Sequence, residues 1–309
     1  MTEWLPSGQS STLEGTTMTR TPPTVLAEAD PDADSTLERS VRQARRRRRF
    51  WLWTARIGFA VFIVGGWQLF TAQGWVDKFF YGQPSLIWKS LVHLFTKGTA
   101  FGSIWDDITV TLEEAVYGFF LGTGVGVIFG LLLGQNRFLA DVLSPYIKIV
   151  NAVPRIILGG IFVVAFGFGM FPKILLAAVL VFFIVFFNAF QGVREVNPNL
   201  VANVKVLGAS PLQVARHVTI PSALTWIIAS LHTAFGFAII GALVQEILGS
   251  TRGMGLIISQ AIGRLDPNTV FAGMTIMAVI TLVAEFLITL LEKRVLAWRP
   301  PSHSESAGI

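Results

Sequence analysis

The sequence predicts an all-α polytopic membrane protein with about six transmembrane helices. It is 52% hydrophobic and only 14% charged, whereas soluble domains carry about 25% charged residues. Its mean hydropathy is +0.61, and its apolar residues are concentrated in long stretches. Because a transmembrane helix needs roughly 20 mostly apolar residues, a chain of 309 residues has room for about six spans with modest loops. A single membrane domain is therefore expected.

The composition also excludes several kinds of site. The chain contains no cysteine, which rules out disulfides, thiolate metal ligands and a thiol nucleophile. Its four histidines are too scattered to predict a metal-ligand cluster; they are His93, His217, His232 and His303. The net charge of +5 is better explained by basic residues at the cytoplasmic ends of spans than by nucleic-acid binding. No metal, cofactor or nucleic acid is therefore expected to bind this chain.

Residues 1–50 are predicted to form a disordered cytoplasmic tail that ends in a run of arginines. Most of this segment is rich in Ser, Thr, Pro and acidic residues and poor in aromatic ones, so it cannot bury enough apolar area to fold. Arg45–Arg49 directly precede the apolar stretch Phe50–Trp75, the first predicted span. A twin-arginine export signal is an alternative, but the apolar stretch is longer than a signal core. The arginines are better explained as a cytoplasmic anchor beside anionic lipid headgroups.

Five further apolar stretches are close to the length needed to cross a bilayer, although the second of these five is short. They are Leu112–Leu133, Ile156–Phe171, Ile174–Gly192, Ala223–Ile247 and Val270–Leu291. Before them, apolar residues recur at helical spacing in Pro84–Phe95, which predicts an amphipathic helix at the membrane interface. The predicted membrane domain thus covers residues 51–294, and residues 295–309 form a short cytoplasmic tail.

The distribution of basic residues predicts that both termini are cytoplasmic. Six spans that start inside also end inside, and Lys and Arg are enriched in cytoplasmic segments. The segments assigned to the inner side contain most of the basic residues, namely the arginine run, Arg137, Lys148, Arg155, Arg194, Lys205, Arg216, Lys293, Arg294 and Arg299. The outer segments contain fewer, mixed with acidic residues.

Five glycines in the second span are spaced four residues apart, and therefore share one face of the helix. They are Gly118, Gly122, Gly126, Gly130 and Gly134. Small-residue stripes of this kind allow close packing of two transmembrane helices, which is the favoured interpretation. Direct lining of a substrate path is the alternative.

The loop after the fourth span, residues 199–221, has the pattern of a helix, a turn and a second helix. Apolar residues recur at helical spacing in its first half, and Gly208 can end that helix in a left-handed conformation. Ser210 can cap the next helix, Pro211 suits its first turn, and Pro221 is expected to end it. An amphipathic hairpin with exposed basic residues suits binding by a soluble partner. On spacing alone, an ordinary loop between two spans remains the alternative.

From about Phe80 to Arg294 the sequence resembles the permeases of binding-protein-dependent importers, in the branch that takes up nitrate, taurine and aliphatic sulfonates. The central similarity is Gly208-Ala209-Ser210, followed at a fixed interval by Ile220-Pro221. Further similar segments are Gln83-Pro84-Ser85, Phe166-Gly167-Phe168-Gly169, Glu246 and Gly253-Met254-Gly255-Leu256. In one respect the chain departs from the family, because Ala202-Asn203-Val204 stands where the loop often begins with Glu-Ala-Ala.

The resemblance implies a type I importer permease with a MetI-like fold in the bacterial plasma membrane. Such a protein works as a permease dimer, here a homodimer, in contact with membrane lipid. Its partners are cytoplasmic ATP-binding subunits and an extracytoplasmic substrate-binding protein. The chain itself contains no Gly-x-x-x-x-Gly-Lys-Ser/Thr phosphate loop, so the partner subunit binds ATP and this chain is not an enzyme. The implied solute is small and anionic, such as a sulfonate, taurine or nitrate.

The same resemblance implies that the loop couples the permease to the ATP-binding subunit. The residues assigned to coupling are Ala202, Lys205, Gly208, Ala209, Ser210, Leu212, Arg216, Ile220 and Pro221. Polar groups within spans are costly and are therefore candidates for the solute pathway; these are Asn188, Thr225, His232 and Glu246. For His232, a hydrogen bond between helices is the alternative to a substrate contact. Glu246 is expected to pair at the outer rim.

Two other functional classes predict different patterns. A secondary transporter or channel that works alone would use buried carboxylates or discontinuous helices for ion coupling. A polytopic membrane enzyme would place His, Asp, Glu or Ser together near the interface, and the sequence contains no such constellation. The importer permease is therefore the favoured function, with the secondary transporter or channel as the alternative.

Overall fold

The computed structural model describes residues 31–295, and within this range it contains α-helices, one π-helical turn and no β-sheet. The predicted all-α class is confirmed. In chain order the helices are α1 (Pro31–Ala72), α2 (Lys78–Tyr81), α3 (Pro84–Lys97), α4 (Ile104–Gln135), α5 (Arg137–Ala152), α6 (Arg155–Phe166), α7 (Met170–Arg194), α8 (Pro198–Val206), α9 (Pro211–Val214), α10 (Ile220–Leu248), α11 (Met254–Gly263) and α12 (Pro267–Val295).

Within residues 31–295, five helical segments are long and apolar enough to cross a membrane. They are Arg46–Ala72, Ile104–Gln135, Met170–Arg194, Pro211–Leu248 and Pro267–Leu290. Helices α5 and α6 satisfy the same test only as a pair, with a bend of 81° between them. The count is therefore five, or six if the bent pair forms one span, in agreement with the prediction of about six. The short predicted span Ile156–Phe171 corresponds mainly to α6.

Of the two predicted terminal tails, only part of the N-terminal one lies within the described residues. The structure differs from the disorder expected for residues 1–50, because residues 31–50 form the beginning of α1. Seven of the 20 residues in this part are Arg, which has high helix propensity. Residues 1–30 and the predicted C-terminal tail beyond Val295 lie outside the described residues. The chain divides into two compact units at Ile63 and Val64, and helices α2 to α12 belong to the second.

Helices α4, α7 and α10 form the core of the second unit, with α7 packed against both others. All five stripe glycines of α4 are buried and face α7. A Cβ at Gly122 would lie 2.4 Å from the carbonyl oxygen of Ala178, and one at Gly130 would lie 2.6 Å from the Cβ of Ala189. These positions leave no room for a side chain. The prediction of close helix packing along this stripe is therefore confirmed.

The predicted amphipathic helix between the first two spans is present as α3. Its inner face buries Ile87 and Leu94, while aromatic side chains such as Trp88 are exposed on the other face. At its start, the backbone N–H of Gln83 donates a hydrogen bond to Asn268 Oδ1 over 3.0 Å. This bond attaches the beginning of α3 to the beginning of α12.

Candidate functional site

The turn between α8 and α9 has the geometry that the sequence predicts. Gly208 has a φ of +87°, in the left-handed region that favours glycine. Its N–H donates to the carbonyl of Lys205 over 2.9 Å, and the N–H of Ala209 donates to the carbonyl of Val204 over 3.2 Å. These bonds satisfy carbonyl groups at the end of α8. We call residues 198–214 the α8–α9 hairpin.

Ser210 caps the second helix of the hairpin, as predicted. Its Oγ accepts a hydrogen bond from the N–H of Gln213 over 3.3 Å, and Gln213 Oε1 accepts one from the N–H of Ser210 over 2.8 Å. This reciprocal arrangement is a capping box, and Pro211 occupies the first turn of α9. Every bond that shapes the turn joins residues that are close in sequence.

The hairpin presents a set of apolar side chains to its surroundings. Val206, Leu207 and Leu212 are 87%, 85% and 77% exposed. Lys205 and Arg216 are also exposed, on either side of this set. Apolar side chains grouped at the tip of an ordered turn and rimmed by charges are typical of a protein-binding surface.

The other residues assigned to coupling lie in or directly after the hairpin. Ala202 is exposed on α8 and Ser210 is exposed at the turn, while Ala209 is half-buried. Ile220 and Pro221 are half-buried at the start of α10. The assigned residues thus extend from an accessible tip to the base of a core helix.

The prediction that Pro221 ends the second helix is wrong. A π-helical turn at Ala215–Thr219 joins α9 directly to α10, and the N–H of Ile220 donates to the carbonyl of Ala215, five residues back. Because the wider turn shifts the hydrogen-bonding pattern, Pro221, which has no N–H, fits into the first turn of α10. Pro211–Leu248 is consequently one helical segment of 38 residues, and the hairpin continues directly into a membrane-length helix.

The four pathway candidates do not form one group. Asn188 donates its amide to the carbonyl of Ile184 in its own helix, over 2.8 Å. His232 Nε2 lies 2.8 Å from Glu292 Oε2, which joins α10 to α12 and favours the alternative of a bond between helices. Thr225 is half-buried on α10, a little after the hairpin.

The fourth candidate, Glu246, lies near the end of α10. Its side chain is buried, with 1% exposure. Its carboxylate accepts hydrogen bonds from Thr111 Oγ1 over 2.8 Å and from the N–H of Gly255 over 2.6 Å. Glu246 therefore lies in a buried polar cluster near the end of α10, and its expected pairing at the outer rim stays a prediction.

This polar cluster consists of Asp107, Thr111 and Glu114 on α4, Lys173 on α7 and Glu246 on α10, all of them buried. Lys173 Nζ lies 2.6 Å from Glu114 Oε1. Because an unpaired charge is costly in a low-dielectric interior, this ion pair accounts for the burial of both side chains.

The polar cluster binds the backbone of the segment that leads into α11. Asp107 accepts a hydrogen bond from the N–H of Gly253 over 3.1 Å, and Thr111 Oγ1 accepts one from the N–H of Met254 over 2.9 Å. With the Gly255 bond to Glu246, three consecutive N–H groups are satisfied. Gly253 has a φ of +113°, and a Cβ there would lie 1.9 Å from Glu246 Oε1, so this close approach requires glycine.

The sequence contains a signal for the polar cluster that the interpretation of spans did not use. Asp107, Thr111 and Glu114 recur at intervals of four and three residues, so they share one helix face. A polar face at the start of an otherwise apolar span indicates a buried network. The partners on α7 and α10 carry no comparable signal, because each is a single residue.

A family described as "Binding-protein-dependent transport system inner membrane component" matches residues 122–297, more than half of the chain. The match begins within α4 and includes the α8–α9 hairpin and the segment bound by the polar cluster.

Curated relatives cover most of the chain and most of their own length. The putative aliphatic sulfonates transport permease protein SsuC of Bacillus subtilis (strain 168) is 31% identical over 273 residues, which are 88% of this chain and 97% of the relative. The taurine transport system permease protein TauC of Escherichia coli (strain K12) is 27% identical, over 82% of this chain and 94% of the relative. The riboflavin transport system permease protein RibX of Chloroflexus aurantiacus is 28% identical, over 75% and 85%.

Proposed function

Because the chain belongs to the inner membrane components of binding-protein-dependent transport systems, we propose that it forms the transmembrane pathway of an ATP-driven importer for a small anionic solute. Membership of the family makes it a multi-pass permease of the bacterial inner membrane. The proposal adds its energy source, its partner subunits and its solute.

The observation that supports coupling most directly is the structure of the α8–α9 hairpin. An ordered turn presents Leu207 and Leu212 almost fully exposed, and the same turn continues without a break into α10. A cytoplasmic ATP-binding subunit that covers these side chains would displace α10 whenever ATP closes or releases it. The hydrolytic site then belongs to that subunit, and this chain transmits the movement.

The proposed assembly has two copies of this chain, two ATP-binding subunits and an extracytoplasmic binding protein that delivers the solute. The bent pair α5–α6 supports the orientation, because counting it as one span gives six crossings and leaves both termini on the same side. The arginine run before the first span favours the cytoplasm for that side. The hairpin, which lies between the fourth and fifth spans, then faces the cytoplasm as well.

The proposed solute class is a sulfonate, taurine or a similar small anion. It is supported by the relatives named for aliphatic sulfonates and taurine. A relative named for riboflavin transport indicates that related permeases serve chemically different solutes. The solute therefore has to be identified by direct uptake measurements.

Co-purification with the cognate ATP-binding subunit tests the coupling proposal. Leu212→Asp places a charge in the middle of the exposed apolar set, and we expect it to lower the amount of ATP-binding subunit recovered about tenfold, as for an interface residue worth more than about 1 kcal/mol. Leu265→Asp is a matched control, because Leu265 is 64% exposed but lies in the loop between α11 and α12.

The control variant should recover the ATP-binding subunit within about twofold of the wild-type amount. Solute-stimulated ATP hydrolysis by the recovered complexes should fall with Leu212→Asp and not with Leu265→Asp. Wild-type recovery and hydrolysis in the Leu212→Asp variant would contradict a coupling role for the hairpin.

A further inference from the structure

The helix break between α5 and α6 lies beside an arginine. The two helices meet at an angle of 81°, and Val153 and Pro154 form the short connection between them. Pro154 caps α6 without a side-chain hydrogen bond, and the first turn of α6 contains no acidic residue. The positive end of the α6 dipole is therefore not neutralised by a local carboxylate.

Arg155, the first residue of α6, is half-buried and packs against α7. Its guanidinium carbon is 4.6 Å from the centre of the Phe183 ring, and Phe183 lies near the middle of α7, a membrane-length helix of 25 residues. The charge distribution along the sequence assigns Arg155 to an inner segment. The contact with Phe183 instead places its charge level with the middle of a span, where a cation is costly and is a functional candidate.

The charge of Arg155 is not balanced by a carboxylate within residues 46–290. One terminal nitrogen donates a hydrogen bond to Asn151 Oδ1, while Nε is buried and has no hydrogen-bond partner. Lys173, a buried cation on α7, is by contrast paired with Glu114 at 2.6 Å. Arg155 thus keeps unused hydrogen-bonding capacity for a planar or tetrahedral oxyanion.

The surroundings of Arg155 leave a ligand access to this cation. The side chain is half-buried, and both Asn151 and Pro154 beside it are exposed. One face of the guanidinium is covered by the Phe183 ring, which is itself packed against Phe182 and Phe187. This arrangement holds the guanidinium in place and shields one of its faces from water.

We propose that Arg155, positioned by Asn151 and Phe183, binds the anionic group of the solute midway through the membrane. The ligand class is a sulfonate or another singly charged oxyanion. The adjacent positive end of α6 adds to the attraction, as at other discontinuous transmembrane helices. This inference rests on the proposed function for its direction of transport, whereas the anion site itself can be tested without transport.

The absence of cysteine from the chain allows a direct measurement of the local charge. Ala152 is exposed, three positions before Arg155, and Ala152→Cys introduces a single thiol there. In the reconstituted complex, this thiol is labelled with two methanethiosulfonates, one bearing a sulfonate and the other a quaternary ammonium. Arg155→Gln should lower the ratio of the sulfonate rate to the ammonium rate about tenfold, while Arg155→Lys should keep most of it.

Arg194→Gln is the matched control, because Arg194 also lies over a phenylalanine of α7, at 5.1 Å from the ring centre of Phe190. It should leave the rate ratio at the introduced thiol unchanged. If Arg155→Gln also left the ratio of the two labelling rates unchanged, the anion site would be overturned. Ethanesulfonate in solution should slow the labelling; slowing by anionic lipid alone would assign the site to a headgroup and overturn solute binding.

Uptake separates this inference from the proposed function. In proteoliposomes with the ATP-binding subunit and the binding protein, Arg155→Gln should reduce ATP-dependent uptake of taurine or ethanesulfonate about tenfold without reducing assembly. Undiminished uptake in this variant would contradict the site. If the wild-type importer moves neither solute while the labelling ratio still depends on Arg155, the anion site is supported and the proposed solute class is wrong.

Discussion

The two ends of the helical segment Pro211–Leu248 are built in opposite ways. At the first end, the α8–α9 hairpin exposes its apolar side chains and holds its shape with hydrogen bonds between neighbouring residues. At the other end, Glu246 belongs to the polar cluster, in which buried side chains of α4, α7 and α10 bind the backbone of Gly253–Gly255.

This difference indicates a division of roles along one helix. The hairpin keeps its shape independently of the core, because none of its shaping bonds reaches into the core. The polar cluster cannot be opened without leaving charges and N–H groups unsatisfied in a dry interior. We therefore expect changes in the polar cluster to act on stability and changes in the hairpin to act on coupling.

The largest expected effect comes from removing the ammonium group of the polar cluster. Lys173→Met leaves Glu114 buried without its partner, which should destabilise the protein by about 3–5 kcal/mol. The measurement is the thermal unfolding midpoint of the purified complex in detergent. Combining Lys173→Met with Glu114→Gln removes both charges, and this double variant should recover a large part of the loss. Equal unfolding midpoints for the wild type and the Lys173→Met variant would contradict the expectation that changes in the polar cluster act on stability.

An intermediate effect on stability is expected for Gly208→Glu in the hairpin. Its positive φ should cost about 1–2 kcal/mol for a residue with a side chain, while the added charge at the tip should abolish solute-stimulated ATP hydrolysis. Gly167→Glu is a matched control, since Gly167 has a φ of +78° with open space around it but lies between α6 and α7. Loss of hydrolysis in both variants to the same extent would attribute the effect to backbone strain rather than to the hairpin surface.

The smallest effect is expected for Ser210→Ala, which removes the cap of α9. Loss of an N-cap costs about 1 kcal/mol, and since the hairpin folds locally, this should loosen the turn without lowering the unfolding midpoint of the whole complex. Hydrogen exchange of the amides of residues 212–214 should become faster. Ser210→Asp retains a capping oxygen and should keep the wild-type exchange rates; faster exchange in both variants would exclude the cap as the cause.

The same contrast explains which features could be predicted from the sequence. The hairpin turn was predictable because Gly208, Ser210 and Pro211 act through bonds to residues within a few positions. The polar cluster was not predicted, because its bonds join residues such as Asp107 and Gly253, 146 positions apart. Spacing can place Asp107 and Thr111 on one helix face, but it cannot identify the residues that this face contacts.

Two further features, at Pro221 and Arg155, depend on local geometry that a pattern of residue types does not contain. Pro221 predicted a helix end, but a single π-helical turn provides the register in which proline is tolerated. Arg155 was assigned to the inner side because charge counting treats all residues between two spans alike. The bend of 81° between α5 and α6 and the contact with Phe183 are properties of packing, which charge counting does not contain.

The uninterrupted helix that joins the hairpin to the core has a mechanical consequence. A segment of 38 residues is about 57 Å long, so it can act as a lever arm across the full thickness of the membrane. A tilt of about 5° around one end displaces the other end by about 5 Å. Had Pro221 introduced a flexible joint, the same force would bend the chain at the joint. The π-helical turn instead keeps Pro211–Leu248 one continuous helical segment at the place where force would enter.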